Sequence, residues 1–342
     1  MFGLLRTTLA LMVVTYHILS TSMPLGTYAV FGFYMISGYL MTLVMHDVYG
    51  YTYKGRFSFL LNRFLRLYPI YWVSISLSLL LIVMLGQNNA SEYHQALFIP
   101  TDFKKIIENI FMVYPYWFPN LEVPRLVPPT WAITVELFFY FLICLGISKT
   151  ALRVACWVAL SVIYVACTFL YDLSFEYRYF PVAAASLPFS LGSALFFIKG
   201  YMIKNMLPSS KILFFIFFLN SVLWTCAAMN DAALALSVGF YINIFIFFLL
   251  MHKITAHHDS IILNNSIDKK VGELSYPLYL LHWQCGLLVS YVFFGRSFHE
   301  FSYNGFLVYI ATLVVVMVLS ILCIKVVDTP IQQIRKAVRR FN

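Results

Sequence analysis

The stretch RTTLALMVVTYH, residues 6–17, is apolar enough to lie in a bilayer, yet it opens on an arginine and closes on a histidine. Eleven residues at about 100° each leave a remainder of about 20°, so a helix carries both on one face, about 16 Å apart along its axis. Arg6 then stands at the inner mouth of the span, and His17 lies about 20 Å in, past the midplane. Ionisable groups at such depth are costly and mark functional positions by default. The plain alternatives are an arginine that snorkels to the interface and a histidine satisfied by a neighbouring helix.

The rest of the chain agrees that this stretch is a membrane helix. Charged residues make up 11% of the 342, hydrophobic ones 61% and aromatic ones 18%; a soluble domain carries roughly 25% charge. So little charge cannot cover a water-facing surface, and the mean hydropathy of +0.82 agrees. The expected fold is all-α: one polytopic membrane domain over 1–342, with about ten transmembrane helices near 4–22, 28–48, 69–86, 129–148, 153–171, 181–199, 211–229, 232–252, 275–295 and 304–326. The first run lacks an upstream basic region and a small-residue cleavage site, which suits a retained helix rather than a signal peptide.

Charge distribution tests that count. With a cytoplasmic N-terminus, 18 of the 23 basic residues fall on the inner side, leaving Lys104, Lys105, Arg125, Arg178 and Arg296 outside. Both termini are therefore expected in the cytoplasm. The net charge of +9 follows from this topology, with anionic lipid rather than nucleic acid as its partner. Six cysteines, all within spans and none in a CxxC pair, give neither a disulfide framework nor a metal site. The longest connection is the outside loop at about 87–128, where Phe103, Ile106, Ile107, Ile110 and Phe111 share one helical face and suit a helix on the outer leaflet. Tyr114, Tyr116, Trp117 and Phe118 read as an interfacial aromatic belt, with sugar stacking as the other reading. Residues 253–274 read as a polar inner linker.

Glu136, in PPTWAITVELFFYF, enters from the outside and lies about 10 Å below the outer surface, a depth that His17 reaches from the other side. A lone carboxylate there needs a partner, and one that holds the imidazole tautomer would make His17 a better general base. Arg63 and Arg66, in LLNRFLRLYP, share the face of a short inner helix that Pro69 follows; they could clamp phosphates or simply anchor the helix on the positive side. In the second span Gly32, Ser37 and Gly38 permit close helix approach or leave room for a ligand arm. His282 follows Pro277 in the ninth span, about 10 Å from its inner end, and serves equally as a packed histidine or a site residue.

As an ordered set these segments resemble the acyltransferase-3 proteins, membrane enzymes that O-acylate bacterial surface glycans. The resemblance includes Arg6 and His17 at their spacing, FYMISGYL at 33–40, NRFLRLYP at 62–69, PTWAITVELFFY at 129–140 and SYPLYLLH at 275–282. It implies acetyl-CoA or another acyl-CoA as donor substrate, with no permanently bound cofactor. The implied acceptor is a lipid-linked or polymeric glycan such as O-antigen or exopolysaccharide, at the outer face of the bacterial inner membrane. His17 and Glu136 would be catalytic, Arg6, Arg63 and Arg66 would bind acyl-CoA, and Ser37, Gly38, Trp131, Tyr276 and His282 would support the site. The chain departs from the pattern at AVFG, 29–32, where many members have an acidic residue, and at Asn62, a commonly basic position. No SGNH-type esterase domain follows, so acceptor transfer is expected in the membrane domain or with a partner. Arg6 and His17 would then act as a ruler for a donor with phosphates at one end and a thioester at the other.

The reading from another class is a proton-coupled transporter or flippase of an envelope glycan precursor, which an intramembrane histidine and glutamate would suit. The missing internal repeat argues against it. Reporter fusions check the topology: fusions at both ends should be active in the cytoplasm, and a periplasmic signal from either end would reject the ten-span arrangement.

Overall fold

No water reaches the backbone in a hydrocarbon interior, so apolar runs of this length satisfy their N–H and C=O groups within helices. The structure, a computed structural model, describes residues 2–19, 24–114, 123–198, 207–257, 264–298 and 301–340. Among these residues every regular element is helical. In chain order they are α1 Gly3–Ile18, α2 Leu25–Val44, α3 Tyr53–Leu85, α4 Gln87–Tyr93, α5 Phe103–Phe111, α6 Thr130–Leu145 and α7 Ala151–Leu170. There follow α8 Val182–Ile198, α9 Ser210–Ala228, α10 Ala232–Leu234, α11 Phe240–His257, α12 Asn265–Phe294, α13 Tyr303–Cys323 and α14 Thr329–Arg340. Wide turns at Ala235–Gly239 and Ile324–Asp328 carry α10 into α11 and α13 into α14.

Among the described residues, eight helices are long and apolar enough to cross a membrane, and two apolar helices are shorter, Gly3–Ile18 and Thr130–Leu145. These ten stand where ten spans were expected. Each short helix has 16 residues, about 24 Å against a hydrocarbon core of about 30 Å. They are also the helices that carry Arg6, His17 and Glu136. A helix enclosed by protein need not match the bilayer, and α1 is mostly buried between α2 and α12.

One set of contacts fixes the interior. The Asp268 carboxylate accepts from the N–H groups of Gly3 at 2.9 Å and Leu4 at 2.8 Å, capping α1 from another helix. One turn on, the Thr7 hydroxyl donates to the Val271 carbonyl at 2.7 Å. Near the other end the His17 and His282 rings are bonded at 2.9 Å. All these pairs are separated by 264 or 265 residues, so α1 and α12 run parallel and in register. Gly272 allows the close crossing, since a Cβ there would stand 2.6 Å from the Gly3 Cα. Tyr276 donates to the Leu67 carbonyl at 2.7 Å and Ser74 to the Leu280 carbonyl at 3.2 Å, so α3 is parallel to α12 as well.

Three expectations of depth change. First, α3 begins at Tyr53 and contains Pro69; Arg63 and Arg66 stand on the membrane helix itself rather than on a short helix that the proline ends. Second, Asn264 caps α12 at Ser266, and the helix starts ten residues before the expected span, which lifts His282 to the level of His17. Residues 264–274 are thus mostly helix, and 258–263, the middle of the expected linker, lie outside the described residues. Third, the outer loop dips inward. Tyr68 donates to the Phe111 carbonyl at 2.6 Å and Trp72 to the Ile110 carbonyl at 3.1 Å, so α5 hangs beside α3 about 20 Å below its outer end rather than lying on the leaflet surface. Its Phe103, Ile106, Ile107, Ile110 and Phe111 face is exposed as expected; periodicity gives a face but no depth. Of the expected aromatic belt only Tyr114 is described, and Tyr116, Trp117 and Phe118 lie outside the described residues.

Gly272→Val should push α1 off α12 and lower stability by about 1–3 kcal/mol, the usual cost of overpacking. Thermal melting of the solubilised protein measures it, and an unchanged melting temperature would contradict the close crossing.

Candidate active site

α6 starts low because its approach is tied to α12: Tyr279 donates to the Pro129 carbonyl at 2.8 Å. Seven residues further on, Glu136 lies about 10 Å inward of that point. It therefore sits below the histidines and level with the arginines, and the expected pairing of His17 with Glu136 is replaced. Ser37, 9% exposed, donates to Glu136 Oε1, and Tyr140 donates to the Ser37 hydroxyl at 3.3 Å.

Glu136, Ser37, Arg6, Arg63, Arg66 and Tyr276 line one cavity of about 110 Å³, joined by Tyr140 and Tyr279. Six of the ten residues singled out from the sequence thus converge, from five helices. Gly38 is not among the lining residues: a Cβ on it would collide with the Phe189 carbonyl oxygen, so this glycine serves the contact between α2 and α8. Trp131 packs edge-on against Tyr179 and Phe180, with ring centres 5.3 and 5.1 Å away. On the inner side a second cavity, about 390 Å³, shares Arg6, Leu40 and Arg66 with the first.

The histidines form the opposite end. His282 is fully buried, and its Nδ1 lies 2.8 Å from the Tyr279 carbonyl oxygen. A carbonyl only accepts, so Nδ1 carries the proton and the neutral ring presents a lone pair at Nε2. That lone pair meets His17 Nδ1 at 2.9 Å with the rings within 2° of parallel. His17 Nδ1 must then donate, which leaves the lone pair of the neutral His17 ring on Nε2. A backbone carbonyl thereby sets the tautomer of a base two side chains away. Tyr279 joins the two halves of the site, since its side chain lines the arginine cavity and its carbonyl holds His282.

Sequence reasoning missed several neighbours. The Trp283 ring lies 5.1 Å from His17 and 4.4 Å from His94, so an outer-loop histidine belongs to this end. Trp283 follows a named histidine directly, and Tyr140 closes a quoted motif; those positions were the available signals. Arg335, Lys336 and Arg339 line the inner cavity, whereas the sequence offered them only as inner-side positive charge. Asn62, one of the departures, is fully buried and bonded to Arg335.

The class of the protein is set by its sequence together with this all-helical membrane fold. The family model described as "Acyltransferase domain", that of the acyltransferase-3 family, matches residues 2–325. The chain belongs to that family and is a membrane acyltransferase. Searches of curated proteins and of solved structures found no match.

Replacing His282 tests the tautomer relay. His282→Leu should reduce transfer about 10²-fold or more, the usual worth of a positioned base. His282→Gln, whose Oε1 can accept where Nε2 did, should recover most of it. Equal loss in both variants would reject the relay.

Proposed function

We propose that the protein transfers an acyl group, acetyl in the first instance, from cytoplasmic acyl-CoA to a hydroxyl of a cell-surface glycan at the outer face of the bacterial inner membrane. The observation that supports this reading is the separation of the polar side chains into two groups along α1 and α12. Arg6, Arg63 and Arg66 line one cavity, and the bonded histidines lie beyond Tyr279. Arg6 and His17 share α1, whose rise sets them about 16 Å apart. Such a separation suits a donor with phosphates at one end of a long arm and a thioester at the other.

In this reading the guanidiniums hold phosphate, a task for which their paired donors are suited. The acceptor hydroxyl approaches from the outer side, past Trp283 and His94. His17 Nε2 takes the hydroxyl proton as the oxygen attacks the thioester carbonyl. The carbon–sulfur bond then breaks, and the proton passes from His17 to the departing thiolate, so that ester and free CoA thiol are the products. Glu136 stays with Ser37 and the arginines, where its charge offsets theirs and orients Ser37 beside the donor arm. Its catalytic contribution is therefore electrostatic rather than contact with the base. The glycan acceptor, O-antigen or exopolysaccharide, rests on the motif resemblance. The carrier reading offers no role for the inner arginines.

Ester-linked acetate on surface polysaccharide tests the reading in three strains: a deletion, the deletion with the wild-type gene, and the deletion with His17→Ala at equal membrane expression. Acetate should appear with the wild-type gene and fall by about 10²-fold or more with the variant. Equal restoration by both genes would overturn the role of His17, and no difference among the three would overturn acetyl transfer to this acceptor.

A further inference from the structure

The inner cavity is built in part by a segment outside the matched family domain, which ends at residue 325. α14 begins at Thr329 and contributes Arg335, Lys336 and Arg339 to the lining. We propose that α14 is a clamp for the phosphates of the donor nucleotide, docked on α3 through Asn62 and closing the cavity from its inner side. This proposal rests on the acyl-CoA reading above.

The docking is specific. The Asn62 amide nitrogen donates to the Arg335 carbonyl at 3.1 Å, and its oxygen accepts from Arg335 Nε at 3.2 Å and from Arg63 Nη2 at 3.2 Å. One buried asparagine therefore reads both the backbone and the side chain of α14 while touching an arginine of the upper cavity. Asp328, 3% exposed, ties the start of α14 to the same corner. It pairs with Arg66 at 3.2 Å and Arg335 at 3.9 Å and accepts from Gln332 at 2.9 Å. The helix is thus fixed to the corner of α3 that holds Arg66, which lines both cavities.

The charge balance then asks for an anion. Arg6, Arg66, Lys269, Arg335, Lys336 and Arg339 line the cavity, against the carboxylates of Asp268 and Glu273. Asp268 is already engaged by the amides of Gly3 and Leu4, and Asp328 by Arg66 and Arg335. Arg339 lies one turn from both Arg335 and Lys336 on α14, a helix without a single acidic residue. Arg66 and Arg335 share the one carboxylate of Asp328, and Glu273 faces Arg6, Lys269, Lys336 and Arg339, so the cavity keeps a surplus of positive charge that favours an anion. The volume, about 390 Å³, admits a group larger than one phosphate. Since Arg6 and Arg66 line both cavities, an anion held here lies next to the arginine cavity that holds Glu136 and Ser37. Phosphate is the shared chemistry of a nucleotide and a lipid headgroup, and continuity with that cavity, where the donor arm would lie, selects the nucleotide.

The test uses the full chain in nanodiscs and measures binding of CoA and of 3′-dephospho-CoA to wild type and to a K336Q/R339Q double variant. Both replaced side chains are exposed, and Arg335, which docks the helix, is kept. CoA affinity should fall about tenfold or more in the variant, the equivalent of about 1.4 kcal/mol. The wild-type preference for CoA over its dephospho form should shrink toward one, and KM for the donor should rise with kcat unchanged. Unchanged CoA affinity in the variant would overturn the clamp while leaving the donor reading intact. Loss of co-purifying anionic lipid with CoA affinity retained would assign the cations to a headgroup and overturn it too. A wild-type protein that binds no CoA would overturn the donor reading, and the clamp with it.

Discussion

The in-register contact between α1 and α12 is the constraint on which the rest depends. Capping of Gly3 and Leu4 by Asp268 fixes the height of α1 at its inner end. Thr7 repeats the tie one turn on, and the histidine pair closes it near the outer end. Each bond contributes on the order of 1 kcal/mol net, but the register they share matters more than their sum. A slip of one residue would turn His17 by about 100° away from His282 and leave the first amides of α1 without acceptors. Glycine at 272 permits the contact because nothing larger fits against Gly3.

Burying polar groups in a membrane protein is costly, and here they support one another in two groups at different heights. The lower group neutralises itself in part: Glu136 shares its cavity with Arg6, Arg63 and Arg66 and accepts from Ser37, which in turn accepts from Tyr140. The upper group needs no charge. Two neutral imidazoles and a carbonyl satisfy each other in a chain whose direction is dictated by the one member that cannot donate. Glu136 stands apart from the histidines, with Ser37 and the arginines.

Two helices too short to span a bilayer carry most of this chemistry. Their length is tolerated because α1 is enclosed by protein and α6 begins within the fold, where Tyr279 holds Pro129. Long helices around them meet the lipid. The dipping outer loop follows the same logic, since its carbonyls are bonded by Tyr68 and Trp72 and its apolar face is exposed.

By itself the sequence determined the helical fold, the ten apolar segments and the shared face of Arg6 and His17. Each depends only on hydropathy along the chain or on rotation about one helix axis. The grouping of Arg6, Arg63 and Arg66 was legible because all three fall on the same side of the apolar pattern, and they line one cavity. What the tertiary structure decided was relative height. Glu136 was read from the outer surface because its helix follows an outside loop, and nothing local reveals that the loop dips. His282 was read from Pro277, although α12 begins at Asn265. Periodicity measures phase and rise along one axis, whereas the offset between two helices is set by caps and contacts from residues as far as 265 positions away. That offset is why the partner of His17 is a histidine rather than a carboxylate, and why Arg335 faces a cavity instead of merely marking the inner side.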